Sequence, residues 1–416
     1  MKILFVTRDK FPPFRPAAAA IFKEELPSRG HQIDWVLQAA KPQPSVIQPY
    51  GSGTAYIGAN SGGRAALRRV LAHCQDLLNY FRVFRLLKKN RYDIVQVKDH
   101  YLPGLIALLA CKLHRVPFCY WLAYPHAEDT LYKAREGITR YRWYYRFRGT
   151  LWKWLLYKIL LPSSVHVFVQ SEQMKRDVAL EGVPLEKMTA VPGSLDLDEI
   201  PYRRRPTSCA GAEAMGDHAV LYLGLLSRVR YMDFLLRVFE KVAKINRKSM
   251  LYMLGKGDEP EDEVFLRDEA HRLGTADRVV FTGYLPMELA WEYVRRAAVC
   301  VSPYYPMMIL NSTSPTKLIE YMAMARPTVG NDHPEQRLVL EASGAGICVP
   351  YDEAAFADAI VTLLEDPATA REMGLKGRAY VEKYRTNVVM ADVVEDQYRR
   401  ICEPRLEGDE HTGSVP

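Results

Sequence analysis

Short apolar runs alternate with longer stretches whose apolar positions recur every three or four residues, first over 1–191 and again over 219–385. The short runs, rich in Val, Ile, Leu, Phe and Tyr, predict strands at 2–7, 32–37, 93–97, 118–122, 165–169 and 188–191. Periodic stretches predict helices at about 17–29, stopped by Gly30, and at 65–89, 103–113 and 172–181, the last with Ser171 as N-cap. Residues 41–64, rich in Pro, Gly and Ser, predict a surface loop. In the second half the same signals give strands at 219–223, 250–254, 279–282, 298–302 and 328–330. Helices are expected at 231–245, 261–273, 287–297, from about 315, and at 354–365, 368–384 and 388–400. Alternating strand and helix predicts parallel sheets with helices on both faces. The expected architecture is α/β: two doubly wound, Rossmann-like domains with an interdomain cleft. Their expected bounds are 1–200 and 219–385, with an aperiodic linker at 201–218, a helix at 386–402 returning to the first domain, and a disordered tail at 403–416.

Composition narrows the class. A hydrophobic content of 48% and a charged content of 25% are those of a globular chain. The seven cysteines are scattered and form no Cys-x-x-Cys pair, which predicts reduced thiols in a cytoplasm and no structural zinc. The opening run is too short for a signal peptide, and the longest apolar run, 105–111, is too short to cross a bilayer. A soluble or peripheral protein is expected. The net charge is +7, and residues 131–160 carry eight basic residues against one acid, Glu136, so this segment holds the whole excess. A general nucleic-acid binder spreads its positive charge more widely, so nucleic acid is not an expected partner.

Candidate chemistry concentrates at Asn311-Ser-Thr-Ser-Pro-Thr-Lys-Leu-Ile-Glu-Tyr-Met-Ala-Met-Ala-Arg-Pro327. Ser312, Thr313 or Ser314 can cap a helix there, and Pro315 suits its first turn. Leu318, Tyr321 and Met322 share an inward face, and Arg326-Pro327 ends the helix. A helix start with free N–H groups and Lys317 on its first turn is built to hold an anion. Glu320, one turn on, can accept hydrogen bonds from vicinal hydroxyls. Leu221-Tyr-Leu-Gly-Leu-Leu-Ser-Arg-Val-Arg-Tyr-Met-Asp233 runs from a strand into a helix: Gly224 permits a tight exit, and Arg228 and Arg230 offer forks for phosphate oxygens. Leu254-Gly-Lys-Gly-Asp258 and Phe281-Thr-Gly-Tyr-Leu-Pro286 are glycine turns at strand ends. No Gly-x-Gly-x-x-Gly follows the first strand of either half, which argues against a dinucleotide dehydrogenase.

The stretch 311–327 with Pro327-Thr-Val-Gly-Asn-Asp-His-Pro-Glu-Gln336 resembles the signature of glycosyltransferase family 4, the large family of retaining GT-B enzymes. Met1-Lys-Ile-Leu-Phe-Val-Thr7 with Phe11-Pro-Pro13 resembles the family's opening strand and loop, and Ser28-Arg-Gly-His-Gln-Ile33 the end of its first helix and next strand. Ser314-Pro-x-Lys-Leu-x-Glu-Tyr-Met-Ala323 is similar to a subgroup found in surface-polysaccharide synthesis. The resemblance implies a nucleotide diphosphate sugar as donor, met by Thr316, Lys317, Leu318 and by Glu320 on the ribose. It implies a diphosphate gripped by Arg230, Lys317 and Arg228 without a metal or cofactor, and a base held near Gly255, Gly257, Gly283 and Tyr284. In three places the chain departs from the family. Ser312 stands where the family has a first glutamate, Leu225 where it has an arginine, and Arg15-Pro-Ala-Ala-Ala-Ala20 where it has paired glycines.

The first half must supply the acceptor side. Its candidates are Asp99 and His100, after strand 93–97, and Tyr124, His126, Glu128 and Asp129, after strand 118–122. Retaining members of the family are thought to let the donor phosphate take the acceptor proton, so no dedicated base is required; Asp99, His126, Arg228 and Lys317 are the residues expected nearest the chemistry. The expected reaction is sugar transfer to a glycan or lipid-linked acceptor in cell-surface polysaccharide synthesis. The rival readings are a non-catalytic scaffold, to which Ser312 and the glycine-free loop point, and a nucleotide-sugar epimerase.

Residues 139–161 predict one amphipathic helix with Arg142, Arg146 and Lys153 on one side and Tyr144, Phe147, Leu151, Trp154 and Leu155 on the other. Either the aromatic side packs on the sheet, or the helix docks on an anionic membrane surface and makes the protein peripheral on the inner face of the cell membrane.

Overall fold

The computed structural model of the 416-residue chain describes residues 1–13, 19–60, 77–137 and 139–410. It divides into two compact units, residues 1–192 with 387–416 and residues 193–386.

The first unit is built on an eight-stranded sheet in the order β3-β4-β2-β1-β5-β6-β7-β8. Its strands are β1 (Lys2–Phe11), β2 (Gln32–Ala39), β3 (Val46–Tyr50), β4 (Gly53–Gly58), β5 (Ile94–Lys98), β6 (Phe118–Leu122), β7 (His166–Val169) and β8 (Met188–Ala190). Pairing is parallel throughout except for β3 with β4. The central strands β5, β6 and β7 are buried along their whole length, as parallel strands covered on both faces must be. The order reverses between β1 and β5, so their carboxyl ends open the crevice where such sheets take ligands.

One expectation for this half changes. Residues 46–58 form a hairpin rather than a loop: the β4 positions Ala55 and Ile57 are buried, and β4 extends the sheet beside β2. The helix expected at 17–29 is present over the described residues 19–28, with a wide turn at Ile21–Glu25 running into Leu26–Ser28 and Gly30 following at φ 85°; residues 14–18 lie outside the described residues, and with them most of the glycine-free loop. Of the helix expected at 65–89, residues 77–80 and Arg82–Lys89 are helical, and residues 61–76 lie outside the described residues. Beyond β6 come α1 (His126–Arg135) and α2 (Arg142–Leu155), and the latter continues through the wide turn Leu156–Leu160 to Leu161–Ser163.

In α2 the side that meets the unit is not the aromatic one. Gly149 packs so closely on Leu131 of α1 that a Cβ there would lie 2.8 Å from the leucine side chain. Arg142 donates to the carbonyls of Ala134 and Arg135, and Lys153 pairs with Glu181 at 2.6 Å. Trp143, Phe147, Leu151 and Trp154 are left 76%, 65%, 44% and 54% exposed, whereas Leu155 is buried. The aromatic side does not pack on the sheet.

The closing helix, Asn387–Glu410, belongs to the first unit and extends into the stretch expected to be a disordered tail; residues 411–416 lie outside the described residues. It buries Met390, Ala391, Val394 and Tyr398 against Phe22, Trp121 and Phe168. The buried Tyr398 hydroxyl donates to Gln96 Oε1 on β5 at 2.6 Å. Glu395 accepts from Arg29 and Arg399 and is hydrogen-bonded to the His31 ring.

The second unit holds a six-stranded parallel sheet, β11-β10-β9-β12-β13-β14. Its strands are β9 (Ala219–Leu223), β10 (Met250–Leu254), β11 (Val279–Gly283), β12 (Val299–Ser302), β13 (Thr328–Asn331) and β14 (Gly346–Val349). This is the Rossmann order, with its switch point between β9 and β12. Among its helices are α3 (Pro260–Arg272) and α4 (Thr316–Ala323). Residues 201–218, expected as a linker, belong to this unit. Ala210–Glu213 is helical, and Gly211 sits so near the Tyr293 hydroxyl that any side chain would collide with it. A short packed element of this kind leaves no periodic trace.

The anchoring of the closing helix gives a pH test. Burial works against the Glu395 carboxylate, but the hydrogen bonds from His31, Arg29 and Arg399 outweigh it and hold its pKa down to about 2. A depressed carboxylate adds stability that is complete above its unfolded value and vanishes as pH falls through the folded one. Glu395→Gln should therefore lower unfolding stability at pH 7 by about 1.5–3 kcal/mol, the worth of a charged hydrogen bond. The gap should close between pH 4.5 and 2 in urea titrations of both proteins. A gap independent of pH would show that the charge is not what anchors the helix.

Candidate functional site

At the switch point of the second unit, three strand ends stack their glycines. The Gly224 N–H donates to Leu254 O at 2.9 Å and the Gly255 N–H to Gly283 O at 3.1 Å. A Cβ on Gly255 would fall 1.9 Å from Gly224 O, so no other residue fits. Gly224, Gly255 and Gly283 all have positive φ. Gly257 has a different reason: its turn lies against Asp262, whose carboxylate accepts the N–H groups of Asp258 and Glu259 and caps α3. Tyr284, next to Gly283, is mostly exposed.

Lys317 sits in the first turn of α4. Its Nζ donates to the Tyr222 hydroxyl at 2.9 Å, lies 4.3 Å from the centre of the Tyr222 ring and 5.0 Å from that of Tyr304, and approaches Gly224. The Arg230 guanidinium lies 5.9 Å from the same Tyr304 ring. Among the described residues no carboxylate pairs with Lys317; Glu320, one turn along, is the opposite charge that acts on it. Burial and the Arg230 charge push the Lys317 pKa down to about 7, with Glu320 pulling the other way. Burial pushes the Glu320 carboxyl above its ordinary value, against the Lys317 charge.

No side chain caps α4; Pro315 is its N-cap. The three hydroxyls expected there are engaged elsewhere. Ser312 donates to Met308 O, Thr313 donates to Leu310 O, and Ser314 Oγ accepts the Gly193 N–H. The first-turn N–H groups of Thr316, Lys317 and Leu318 thus have no side-chain partner, the arrangement that holds an anion. The surroundings are fixed by hydrogen bonds that the sequence did not announce. The Leu223 N–H donates to the Tyr321 hydroxyl at 2.7 Å, tying β9 to α4. Asn331 accepts from Tyr304 N and donates to Tyr304 O. His333, its pKa pushed down to about 4 by burial, is neutral and donates from Nε2 to Leu310 O at 2.8 Å.

Of the expected cations, Lys317 and Arg230 flank one tyrosine, while Arg228 turns away. It is exposed, 4.8 Å from the Phe265 ring and 3.8 Å from Asp262 on α3. The aromatic residues were missed: Tyr222 and Tyr304, and Tyr231, which adopts a left-handed φ of 53° and stacks on Tyr305 at 4.1 Å. The Tyr-Tyr pair before α4 was their only trace.

In the first unit the candidates cluster at the ends of β1, β5 and β6. Asp99 has φ 51°, a strained value for a non-glycine residue, and its Oδ1 accepts the Ala123 N–H at 2.8 Å. His126 Nε2 lies 4.0 Å from Asp99 Oδ2, at the start of α1, with its ring against Tyr124. His100 meets the Tyr80 hydroxyl at 2.7 Å. Lys98, buried, pairs with Asp9 at 2.7 Å. Sequence reasoning passed over this pair because Lys98 lies in a strand that otherwise reads as core.

Two parallel doubly wound units of this make-up are the GT-B fold. A search of solved structures agrees: sucrose-phosphate synthase from Thermosynechococcus elongatus superimposes with a TM-score of 0.72 over 96% of this chain and 99% of its own, at 18% identity. Anabaena HepE in complex with UDP-glucose gives 0.65 over 95% and 99%, at 14% identity. The family model "Glycosyltransferase Family 4" matches residues 19–199 and "Glycosyl transferases group 1" matches residues 217–366. The chain belongs to glycosyltransferase family 4. It is 26% identical over 233 residues to D-inositol 3-phosphate glycosyltransferase of Nocardia farcinica, covering 54% of this chain and 50% of that protein. It is 28% identical over 206 residues to phosphatidyl-myo-inositol mannosyltransferase of Mycobacterium leprae, covering 49% and 51%. The chain spans about half the length of these relatives.

The depressed Lys317 gives the site a proton signature. Above pH 7 the free amine is largely neutral, and a diphosphate bound beside it would restore the ammonium. Calorimetric titration with a nucleoside diphosphate at pH 8, in buffers of different ionisation enthalpy, should show uptake approaching one proton. Lys317→Arg, charged in both states, should abolish that uptake. Equal proton uptake by the two proteins would assign it to another group.

Proposed function

We propose that the chain is a retaining glycosyltransferase that moves a sugar from a nucleotide diphosphate sugar to a glycan or lipid-linked acceptor in cell-surface polysaccharide synthesis. The observation that carries this reading is the Lys317 ammonium on an uncapped helix start, beside the Gly224 backbone and one turn from Glu320. Lys317, Arg230 and the first-turn N–H groups of α4 take the diphosphate; the charge they supply is what a metal would otherwise provide. Glu320 reads the ribose hydroxyls. The turns at Gly255 and Gly283, with Tyr284, hold the base. Arg228, engaged with Asp262, is left to a supporting role. In the first unit, Asp99 and His126 serve the acceptor side.

The exposed aromatic side of α2 supports a peripheral position at the inner face of the cell membrane. Tryptophans and a phenylalanine facing solvent, flanked by the exposed Arg140 and Arg146, are the composition of a helix lying in a membrane interface. Among the described residues no helix is long and apolar enough to cross a membrane.

Incubation with a panel of sugar nucleotides and glycan acceptors tests the reading. Nucleoside diphosphate release with retention at the anomeric carbon, seen by NMR of the product, is expected. Glu320→Gln keeps the shape but loses charge assistance, so donor KM should rise about tenfold with the circular dichroism spectrum unchanged. A C2-inverted free sugar would make the protein an epimerase. No turnover with any donor would favour the scaffold reading that Ser312 motivates.

A further inference from the structure

Where α1 meets α2 the first unit has an open cavity of about 650 Å³, lined by Leu131, Ala134, Arg135, Arg142, Trp143 and Arg146. Half of the lining is arginine, and no carboxylate takes part; Glu136, the single acid of residues 131–160, is not in the lining. The Arg142 guanidinium is held in place by the carbonyls of Ala134 and Arg135, at 3.2 and 3.0 Å. Arg135 and Arg146 are exposed on either side of it in sequence, and no ion pair engages either of them among the described residues. Leu131 is pinned by the close contact with Gly149, which fixes the angle at which the two helices diverge. Trp143 lines the cavity and also begins the exposed stripe that continues through Phe147, Leu151 and Trp154.

We propose that this cavity seats the phosphate of an anionic membrane lipid. Arginine forks match phosphate oxygens in pairs, and three of them around one opening make a site for a concentrated anionic charge. The apolar part of the lining, and the continuity of Trp143 with an aromatic stripe, suit a head group whose chains lie beside the helix rather than a free, fully hydrated phosphate. The site would turn diffuse attraction to a negative surface into recognition of one head-group chemistry. It rests on the membrane position proposed for α2.

The test compares phosphatidylcholine vesicles containing phosphatidic acid with vesicles brought to the same zeta potential by cholesteryl hemisuccinate, a carboxylate. Wild-type protein should bind the phosphate vesicles at least tenfold more tightly. Arg135→Gln with Arg146→Gln should erase that preference without lowering the melting temperature, since both side chains are exposed. In parallel, dihexanoyl phosphatidic acid below its micelle threshold should shift the Trp143 indole N–H resonance in the wild type and not in the double variant. Equal binding to the two vesicle types, or a preference surviving in the variant, would overturn the proposal. If neither vesicle binds, the membrane position fails, and the soluble lipid alone decides the cavity: an arginine-dependent shift upholds it and no shift removes it. Inorganic phosphate producing the same shift at the same concentration would make it a free-phosphate site instead.

Discussion

The second unit is organised around a buried lysine amine that, among the described residues, makes no salt bridge. Lys317 is withdrawn among Tyr222, Tyr304 and Gly224, near a second cation, Arg230. Desolvating a charge without a counter-charge is costly, and a protein answers by neutralising the group or supplying the missing charge. The lowered pKa of Lys317 is the first answer, and the anionic ligand proposed for the site would be the second. The surrounding hydrogen bonds keep the site open. Tyr321 locks β9 to α4, Asn331 clamps Tyr304, and His333 holds the chain before α4. Were Ser312, Thr313 or Ser314 to cap α4, the site would be filled by its own protein.

The first unit resolves its charges in the opposite way. Glu395 is surrounded by donors, and the closing helix is fixed by them and by the Tyr398 contact with Gln96. Its surface departs from ordinary packing at α2, where Gly149, Arg142 and Lys153 face the unit while Trp143, Phe147 and Trp154 face out. Trp152 alone of the α2 tryptophans turns inward, stacking on Tyr101, while Trp143 and Trp154 face out on the surface that holds the arginine-lined cavity.

Much of the fold was legible because parallel strands buried on both faces read as apolar runs; β5, β6, β9 and β10 fall where the pattern puts them. The hairpin at 46–58 was not, because an edge pair rich in Gly, Pro and Ser looks like a loop until β2 offers it a partner. Of the candidate site, the grouping of Gly224, Gly255, Lys317 and Glu320 was legible from spacing and family likeness. The orientation of Arg228 was not: whether a long side chain reaches for a ligand or for Asp262 is settled by the capping of α3 some thirty residues on. The tyrosines around Lys317 were illegible for a related reason, since an aromatic residue at a strand end reads as core whether or not a cation rests on it.

The central claim is that Lys317 holds the diphosphate of a nucleotide. Calorimetry on the wild type and Lys317→Ala, each titrated with a nucleoside diphosphate and with the matching nucleoside, tests it most directly. Loss of a charged hydrogen bond worth about 1.5–3 kcal/mol should weaken diphosphate binding by one to two decades and leave the nucleoside almost unchanged. Equal losses for both ligands would contradict the account and place the phosphates elsewhere.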